Sequence, residues 1–259
     1  MTVRVSLIQV DCSESEHPDN RIARVLDVTA AAAAHADILV LPELWHAGAF
    51  AIDVAREHQQ PMDGPLVRGM RAVAADTNTW VYAGSFAETL AGKAYNTAVL
   101  IGPDGEIRAI YRKVHLFGFS GGETTLMTAG EELVVVDTPL GPTGLATCYD
   151  LRFPEMFRQL VDRGAHSFLV ASGWPTRRIE HWRILARARA IENQAWMLAC
   201  NQVGSHSGVV MAGHSMIVDP WGALVAEGDD SECVVSAEID PAYVAETRRI
   251  FPVLADRKL

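Results

Sequence analysis

The sequence predicts a mixed α/β fold in which helices cover the outer faces of two sheets. Short apolar segments typical of strands alternate along the chain with longer segments whose apolar residues recur at helical spacing. Hydrophobic residues make up 49% and charged residues 21% of the 259 positions, the balance of a globular protein with a full core. The sequence shows no internal repeat and no linker, so we expect residues 1–259 to form one domain.

The first half of the chain is predicted to alternate strands with helices. Residues 37–41 are a short apolar segment of the kind buried on both faces of a sheet, and Pro65 suits the first turn of a helix. Residues 103–106, with the sequence PDGE, form a strong hairpin turn. The predicted strands are 3–10, 37–41, 80–86, 94–101 and 107–111, and the predicted helices are 18–35 and 64–78.

The second half begins with a predicted loop at residues 118–130, which are rich in glycine and threonine and lack periodicity. Pro154 stands near the start of a helix that Gly164 closes, and Pro252 stops the last helix. The predicted strands are 133–136, 145–148, 167–171, 196–200, 214–218, 223–227 and 232–239, and the predicted helices are 154–163, 179–193 and 241–252.

Charge and hydropathy argue against nucleic-acid and membrane partners. The net charge is −10, and lysine and arginine are scattered, so no surface that follows a phosphate backbone is expected. No segment approaches the roughly 18 uninterrupted apolar residues of a membrane span. The apolar run at the N-terminus is too short for a signal peptide and is interpreted as a first strand, so we expect a cytoplasmic protein.

The four cysteines do not suggest a disulfide framework or a metal site. They are Cys12, Cys148, Cys200 and Cys233, and they form no CxxC pair and no regular spacing. No pair of Cys or His recurs at ligand spacing either, so no metal or other cofactor is expected. Each cysteine is therefore judged singly, and three of them are expected to be small core residues.

Cys148 stands where a nucleophile would be placed. It ends an apolar strand, and a helix begins a few residues later at Pro154. A strand–turn–helix arrangement lifts a side chain onto the rim of a sheet and aims backbone N–H groups and a helix dipole toward it. This setting favours a thiolate and stabilises an oxyanion. The alternative, a buried structural cysteine, stays open on position alone.

Two charged residues follow other predicted strands. Glu43 comes just after the apolar strand 37–41, and a carboxylate among apolar neighbours acquires a raised pKa suited to a general base. The alternative is a glutamate exposed at the start of a helix. Lys113 ends the strand that begins at residue 107, and by itself it would be interpreted as a solvated lysine.

Three segments together resemble the nitrilase superfamily of carbon–nitrogen hydrolases. They are LPELW at 41–45, YRKVHLF at 111–117 and TCYDLRFPE at 147–155, and they stand in the order and spacing of that family's Glu, Lys and Cys motifs. The resemblance extends to HWRILARARAIENQ and GHSMIVDPWG. It implies a four-layer αββα sandwich and a homodimer or larger homo-oligomer assembled by stacking sandwiches across their helical faces.

The resemblance also assigns a Glu–Lys–Cys triad. It makes Glu43 the base, Lys113 the cation near the oxyanion and Cys148 the nucleophile, with the backbone N–H of Tyr149 as a second oxyanion donor. Many family members have a further glutamate after the lysine motif, and Glu123 is the best match. Glu131 and Glu132 are the alternatives for this second glutamate.

This chemistry splits the hydrolysis of an unactivated amide into two easier steps. The thiol attacks the carbonyl carbon, ammonia leaves, and water then hydrolyses the thioester without a metal or organic cofactor. A Cys–His protease is disfavoured because no motif of those proteases surrounds a cysteine. A pair of glycosidase carboxylates is disfavoured because nothing resembles an aromatic platform for sugars.

The residues after the nucleophile narrow the substrate. True nitrilases usually carry Trp next to the cysteine, whereas this chain has Tyr149. CYDLRFPE and WPTRRIEHW are similar to the branch of omega-amidases and deaminated-glutathione amidases, which cleave small dicarboxylic acid monoamides. Trp174 would then wall the substrate chain, and Arg177 would hold its distal carboxylate. The alternative is that Arg177 and Arg178 are solvated or pair with Glu180.

Two other functions stay open at this point. The first is a broad aliphatic or carbamoyl amidase, and the second is a non-catalytic scaffold of the same fold.

The residues Asp150, Arg152 and Glu155 are expected to lock the turn after the nucleophile by ion pairing. A further group on the helix 179–193 is expected to serve packing, subunit contact or polar networks: His181, Trp182, Arg189, Glu192 and Asn193.

Overall fold

Two six-stranded sheets form the centre of the structure. The computed structural model describes residues 1–118 and 122–258. The six strands of the first sheet are β1 Val3–Gln9, β2 Ile38–Val40, β3 Trp80–Leu90, β4 Lys93–Ile101, β5 Ile107–Arg112 and β14 Cys233–Ile239. Those of the second sheet are β6 Val135–Thr138, β7 Gly141–Thr147, β8 Ser167–Ala171, β9 Trp196–Cys200, β12 Met216–Val218 and β13 Leu224–Glu227, while β10 Ser205–His206 and β11 Val209–Val210 form a separate hairpin.

Each sheet has three parallel strands at its centre and antiparallel strands at its edges. The first sheet has the order β14-β1-β2-β3-β4-β5, with β1, β2 and β3 parallel. The second has the order β13-β12-β9-β8-β7-β6, with β7, β8 and β9 parallel. The carboxyl ends of the parallel strands in each sheet therefore meet at one edge, where α/β proteins place their ligands.

Helices cover both outer faces. They are α1 Pro18–Ala33, α2 Ile52–Glu57, α3 Pro65–Thr77, α4 Pro154–Asp162, α5 Ile179–Asn193 and α6 Ala242–Ile250. Apolar residues of α1 and α3 pack on the first sheet, as Val25 and Met70 do against Leu39. The inner faces of the two sheets pack on each other, and the Tyr82 hydroxyl donates across the gap to the Ala146 carbonyl at 3.3 Å. The predicted αββα sandwich is confirmed.

The predicted elements are present, but several boundaries differ. Cys148 is not the end of β7; it is the first residue of a 3₁₀ helix, Cys148–Arg152. The strand predicted at 133–136 is β6, which begins two residues later at Val135. The predicted loop at 118–130 contains a 3₁₀ turn, Gly122–Thr125, and its residues 119–121 lie outside the described residues.

Two elements were not predicted. Helix α2 is only six residues long and has no side-chain cap, so its sequence lacks the usual start signal. The β10–β11 hairpin turns through Ser207 and Gly208, whose φ angles of 50° and 71° suit a tight hairpin. A Ser-Gly pair is a turn signal, so residues 207–208 could have predicted this hairpin. None of the described helices is long and apolar enough to cross a membrane.

Candidate active site

Four predicted residues meet in one cavity at the carboxyl ends of the parallel strands. Glu43 follows β2, Lys113 follows β5, Cys148 follows β7, and Glu123 comes from the 3₁₀ turn in the loop after β5. The strand β5 runs in the same direction as β3 because two antiparallel pairings separate them. Its end therefore lies at the same edge of the sheet. The topology explains how residues more than a hundred positions apart share a site.

The turn at Cys148 has an uncommon backbone conformation. Its φ of 45° lies in the left-handed region, which costs free energy for a residue with a side chain. The carboxylate of Asp150 holds this turn, since its Oδ2 accepts hydrogen bonds from Thr147 N at 2.8 Å and from the Tyr111 hydroxyl at 2.6 Å. A tight strand-to-helix turn of this kind presents a nucleophile to a cavity.

The Cys148 thiol is protonated at rest. Burial and the negative charge of Glu43 raise its pKa far above 9.0, although the charge of Lys113 acts in the opposite direction. The expectation that the strand–turn–helix setting favours a thiolate is therefore wrong. The cause is that the side chain is 9% exposed and faces a carboxylate. A thiol in this state needs a base beside it before it can attack.

Glu43 is buried and held by three donors. Its Oε1 accepts from Lys113 Nζ at 2.6 Å and from Asn96 Nδ2 at 2.9 Å, and its Oε2 accepts from Gly173 N at 3.0 Å. The exposed helix-start position is excluded, because the residue is 2% exposed. The expected apolar surroundings are not found either, since polar partners on three segments orient the carboxylate.

Lys113 lies between two carboxylates. Its Nζ is 2.6 Å from Glu43 Oε1 and 2.6 Å from Glu123 Oε2, and its side chain is 1% exposed. Burial lowers the pKa of Lys113, but the charges of Glu123 and Glu43 raise it well above 10.5. The solvated lysine is excluded, and the group is an ammonium ion inside the cavity.

Glu123 joins this cluster, whereas the two alternative glutamates do not. Its Oε2 accepts from Phe117 N at 2.7 Å as well as from Lys113, and its Oε1 accepts from Asn96 Nδ2 at 2.5 Å. Burial raises the pKa of Glu123, while Lys113 lowers it. Glu131 and Glu132 are exposed and line a separate surface depression.

Asn96 and Gly173 were not predicted. Asn96 contacts both carboxylates, and only its place on β4 next to Lys113 brings it there. Gly173 donates its N–H to Glu43, and a Cβ at this position would lie 2.1 Å from the Cβ of Ala49. The Ser-Gly pair after the apolar strand β8 was the available signal for a close backbone approach.

Aromatic and cationic side chains form the rest of the cavity wall. Tyr149 and Trp174 line it, and so do Arg152 and Arg178. The cavity is narrow, and its volume reaches about 340 Å³ only when the open solvent at its mouth is included. Arg177 does not line this cavity; it points to a wider outer depression that adjoins it. The wall therefore suits a small substrate and carries positive charge.

The two cavity arginines are held by aromatic rings. The guanidinium of Arg152 lies 4.8 Å from the Trp174 ring, and that of Arg178 lies 5.2 Å from the Phe117 ring. Burial, with the charges of Arg177 and Arg152, lowers the pKa of Arg178. Within residues 1–118 and 122–258, no carboxylate pairs with either cavity guanidinium, and Glu180 pairs instead with Arg183 at 3.6 Å.

The three charged residues after the nucleophile have different roles. Asp150 locks the turn as expected, since its Oδ1 also accepts from His115 N at 3.1 Å and lies 2.8 Å from His115 Nδ1. Arg152 does not lock the turn by ion pairing, because its guanidinium is turned into the cavity against Trp174. Glu155 is exposed.

The long helix α5 provides packing and polar support, as predicted. The indole of Trp182 packs against Trp174 and donates to the His214 carbonyl at 2.7 Å. Arg189 donates to the Leu151 carbonyl at 3.0 Å and pairs with Glu192 at 2.8 Å. Asn193 is buried and donates to the Arg189 carbonyl.

In the described part of the chain, no three His, Cys, Asp or Glu side chains are grouped so as to hold a metal ion.

Comparisons with known proteins agree with the motifs. The model of the carbon–nitrogen hydrolase family matches residues 4–249. The chain is 40% identical to a 2-oxoglutaramate amidase of Paenarthrobacter nicotinovorans, over 98% of this chain and 89% of that protein. It is 37% identical to a 2-oxoglutaramate amidase of Bacillus subtilis, over 97% and 96%.

A solved structure shares the fold over its whole length. It is that of a carbon–nitrogen hydrolase superfamily protein from Xanthomonas campestris with an arsenic adduct in its active site. The two chains superpose with a TM-score of 0.92 and 31% identity, covering 100% of this chain and 98% of the other.

Proposed function

The chain belongs to the carbon–nitrogen hydrolase family, and from this we propose that it hydrolyses the terminal amide of a small dicarboxylic acid monoamide to the acid and ammonia. The observation that carries the proposal is a single cavity in which Cys148 faces the Glu43–Lys113–Glu123 cluster. Arg152 and Arg178 line its wall, and neither forms an ion pair with a carboxylate of the described residues. The similarity to proteins named 2-oxoglutaramate amidase supports a 2-oxo acid amide as the substrate.

In the first half-reaction Glu43 takes the proton of the Cys148 thiol, and the sulfur attacks the amide carbon. Because burial and the charge of Glu43 raise the pKa of the thiol, the proton passes to Glu43 before or during the attack. The oxyanion that forms is stabilised by the Lys113 ammonium ion and the Tyr149 backbone N–H. Glu43 returns the proton to the amide nitrogen, and the C–N bond breaks. Ammonia departs, and the acyl group remains bound to the Cys148 sulfur as a thioester.

In the second half-reaction water attacks the thioester. Glu43 takes the proton of the water, the same two donors stabilise the second oxyanion, and the acid leaves as the Cys148 sulfur regains a proton. Glu123 acts by holding Lys113 and by completing the charge balance of the cluster.

The wall of the cavity supports recognition of a carboxylate at the far end of the substrate. Arg152 and Arg177 lie close enough to Arg178 for their positive charges to lower its pKa. No carboxylate of the described residues neutralises the two cavity guanidiniums of Arg178 and Arg152. A guanidinium binds a carboxylate through paired hydrogen bonds, which fixes orientation as well as affinity. We therefore assign the distal carboxylate to Arg178 and Arg152, where the sequence suggested Arg177.

The test is ammonia release from 2-oxoglutaramate, succinamate and the uncharged butyramide. We expect both carboxylate-bearing amides to be turned over with the higher kcat/KM, and Cys148→Ala to abolish turnover of all three. Cys233→Ala is the matched control, because that cysteine lies outside the cavity and should leave rates unchanged. Equal rates on butyramide and succinamate would favour the broad aliphatic amidase instead, and no turnover of any amide would favour the scaffold.

A matched pair of variants tests the carboxylate assignment. Arg178→Met removes the cavity guanidinium but keeps the backbone carbonyl that accepts from Trp174 Nε1 at 2.8 Å. Losing a hydrogen-bonded charged partner should reduce kcat/KM on succinamate by about 10- to 100-fold, with little change on butyramide. Arg177→Met should leave the preference for the carboxylate intact. A loss of preference in Arg177→Met alone would restore the assignment made from the sequence.

We further propose a cytoplasmic location and a homodimer or larger assembly. Cys12, Cys148, Cys200 and Cys233 are all free thiols, the state that reducing compartments maintain. Helix α5 exposes the apolar side chains of Ile184 and Ile191, which lie two turns apart on one face. An exposed apolar helix face is a candidate subunit contact.

A further inference from the structure

We propose that Asn96 is a positioning residue that uses the two N–H bonds of one amide to orient Glu43 and Glu123 in the cavity. The proposal extends the function above, because it takes Glu43 to be the base. Asn96 lies on β4, two strands away from Glu43 in the first sheet, and its side chain is fully buried.

The contacts of Asn96 join all three charged groups of the cluster. Its Nδ2 lies 2.9 Å from Glu43 Oε1 and 2.5 Å from Glu123 Oε1, and its backbone carbonyl accepts from Lys113 N at 2.9 Å. The β4–β5 pairing therefore fixes Asn96 and Lys113 side by side. Glu43 Oε1 is shared by Asn96 and Lys113, which turns Oε2 toward Gly173 and the thiol side of the cavity.

The amide of Asn96 can face only one way. Its Oδ1 is buried and has no hydrogen-bond partner among the described residues. Rotating the amide by half a turn would direct this oxygen at two carboxylates and remove both donor contacts. A purely structural asparagine in a core usually satisfies both its oxygen and its nitrogen. What sets Asn96 apart is that its Nδ2 reaches two carboxylates of the cavity.

The charge balance explains why a neutral donor is needed there. Two carboxylates surround one ammonium ion, and the Cys148 thiol and the Tyr82 hydroxyl complete the titratable groups near Glu43, with Arg178 at the wall. Burial raises the pKa of Glu123, and the hydrogen bond from Asn96 lowers it. Without this donor, Glu123 would take up a proton at higher pH, and a protonated Glu123 would hold Lys113 less strongly.

The test is the pH dependence of kcat/KM for Asn96→Leu, a substitution that keeps the volume and removes both donors. The acid limb of this profile reports protonation of the carboxylate cluster in the free enzyme. We expect it to move to higher pH, because Glu123 loses a hydrogen bond to its charged form. At the plateau we expect kcat to fall about tenfold or more while KM changes little.

Thr97→Val is the matched control on the same strand. The Thr97 hydroxyl is also buried and also donates to a carboxylate, Glu88 Oε2 at 2.7 Å, but that carboxylate lies outside the cavity. The substitution should leave the acid limb where it is in the wild type. Asn96→Ser, which keeps a single donor in a smaller side chain, should give an intermediate shift, and it decides the question if Asn96→Leu does not fold.

Alkylation of Cys148 by iodoacetamide provides a second profile that needs no substrate. Its acid limb should shift in the Asn96 variants as the kcat/KM limb does. A shifted alkylation profile in a protein that hydrolyses no amide would keep the role of Asn96 and refute the proposed function. An unshifted acid limb in the folded Asn96 variant, even with a lowered rate, would overturn the positioning role and leave Asn96 a structural residue.

Discussion

At the scale of single residues, the cavity is a set of charges that depend on one another. Two carboxylates offset the cost of burying the Lys113 ammonium ion and raise its pKa, whereas burial and the facing Glu43 raise the pKa of the Cys148 thiol. Removing one member therefore changes the protonation of the others. The reactivity proposed for this cavity therefore depends on the relative positions of several charged groups and not on one activated side chain.

Lys113→Met should both inactivate and destabilise the protein. The substitution leaves Glu43 and Glu123 buried without their shared cation, and breaking a buried pair by removing one partner costs about 3–5 kcal/mol. We expect kcat to fall by on the order of 100-fold, since an oxyanion donor is lost. Urea denaturation and ammonia release measure the two effects.

Lys93→Met is the control for this prediction, because Lys93 is an exposed lysine at the start of β4. It should change neither quantity. Wild-type stability in Lys113→Met would show that the two carboxylates are not held charged by the lysine.

At the scale of elements, the site depends on how loops are packed onto the strand ends. The segment after Glu43 carries His46, which is fully buried, and Gly48, which lies against the ring of His206 on β10. The His206 Nε2 accepts from Phe50 N at 3.2 Å, and Phe50 lines the cavity. The unpredicted β10–β11 hairpin thus supports one wall of the site.

The free energy of unfolding should fall when the pH is lowered below about 6.5. Burial lowers the pKa of His46 from 6.5 to about 3, so the unfolded chain binds a proton at a pH where the folded chain does not. The contribution of His46 to the free energy of unfolding is fully present above about pH 6.5 and decreases progressively toward pH 3. At pH 5 this residue should have lowered the free energy of unfolding by about 2 kcal/mol.

His46→Leu should remove about half of the loss between pH 7 and pH 5, since His206 contributes a loss of similar size. Neither ring nitrogen of His46 has a hydrogen-bond partner in the described structure, so leucine forfeits no bond. Urea denaturation at pH 7 and pH 5 measures the difference, and His35→Gln at an exposed position is the control. The dependence that remains would report His206, whose pKa burial lowers to about 4. An unchanged difference between the two pH values in His46→Leu would contradict the prediction.

At the scale of the whole molecule, the outer helical face of the second sheet is incompletely covered. Ile184 is 61% and Ile191 is 50% exposed, and the stacked rings of Trp221 and Phe251 lie partly in solvent nearby. Apolar side chains of this size are rarely left wet together on a monomer. The face is therefore where we expect a second copy to pack.

Sedimentation at micromolar concentration should show a dimer or a multiple of it. Ile184→Glu combined with Ile191→Glu should shift the protein toward monomer, because it places charges in an apolar contact. Leu90→Glu, at an exposed position on the β3–β4 hairpin, is the matched control and should not change the mass. A wild-type protein that sediments only as monomer would refute the assembly.

The sequence by itself determined the element order, the layer architecture and the three motif residues. Apolar periodicity and turn residues are local properties, so residues 167–171, 179–193 and 196–200 were predicted with the bounds that the structure has. The motifs around Glu43, Lys113 and Cys148 are also local strings, and their order along the chain identified the family before any distance was known.

Only the tertiary structure decided which other residues share the cavity. It selected Glu123 over Glu131 and Glu132, placed Arg178 rather than Arg177 in the wall, and added Asn96. These distinctions depend on distances between segments far apart in the chain, which spacing along the chain does not encode. The protonated state of Cys148 was decided in the same way, because burial and a facing carboxylate outweigh the effect of the local turn.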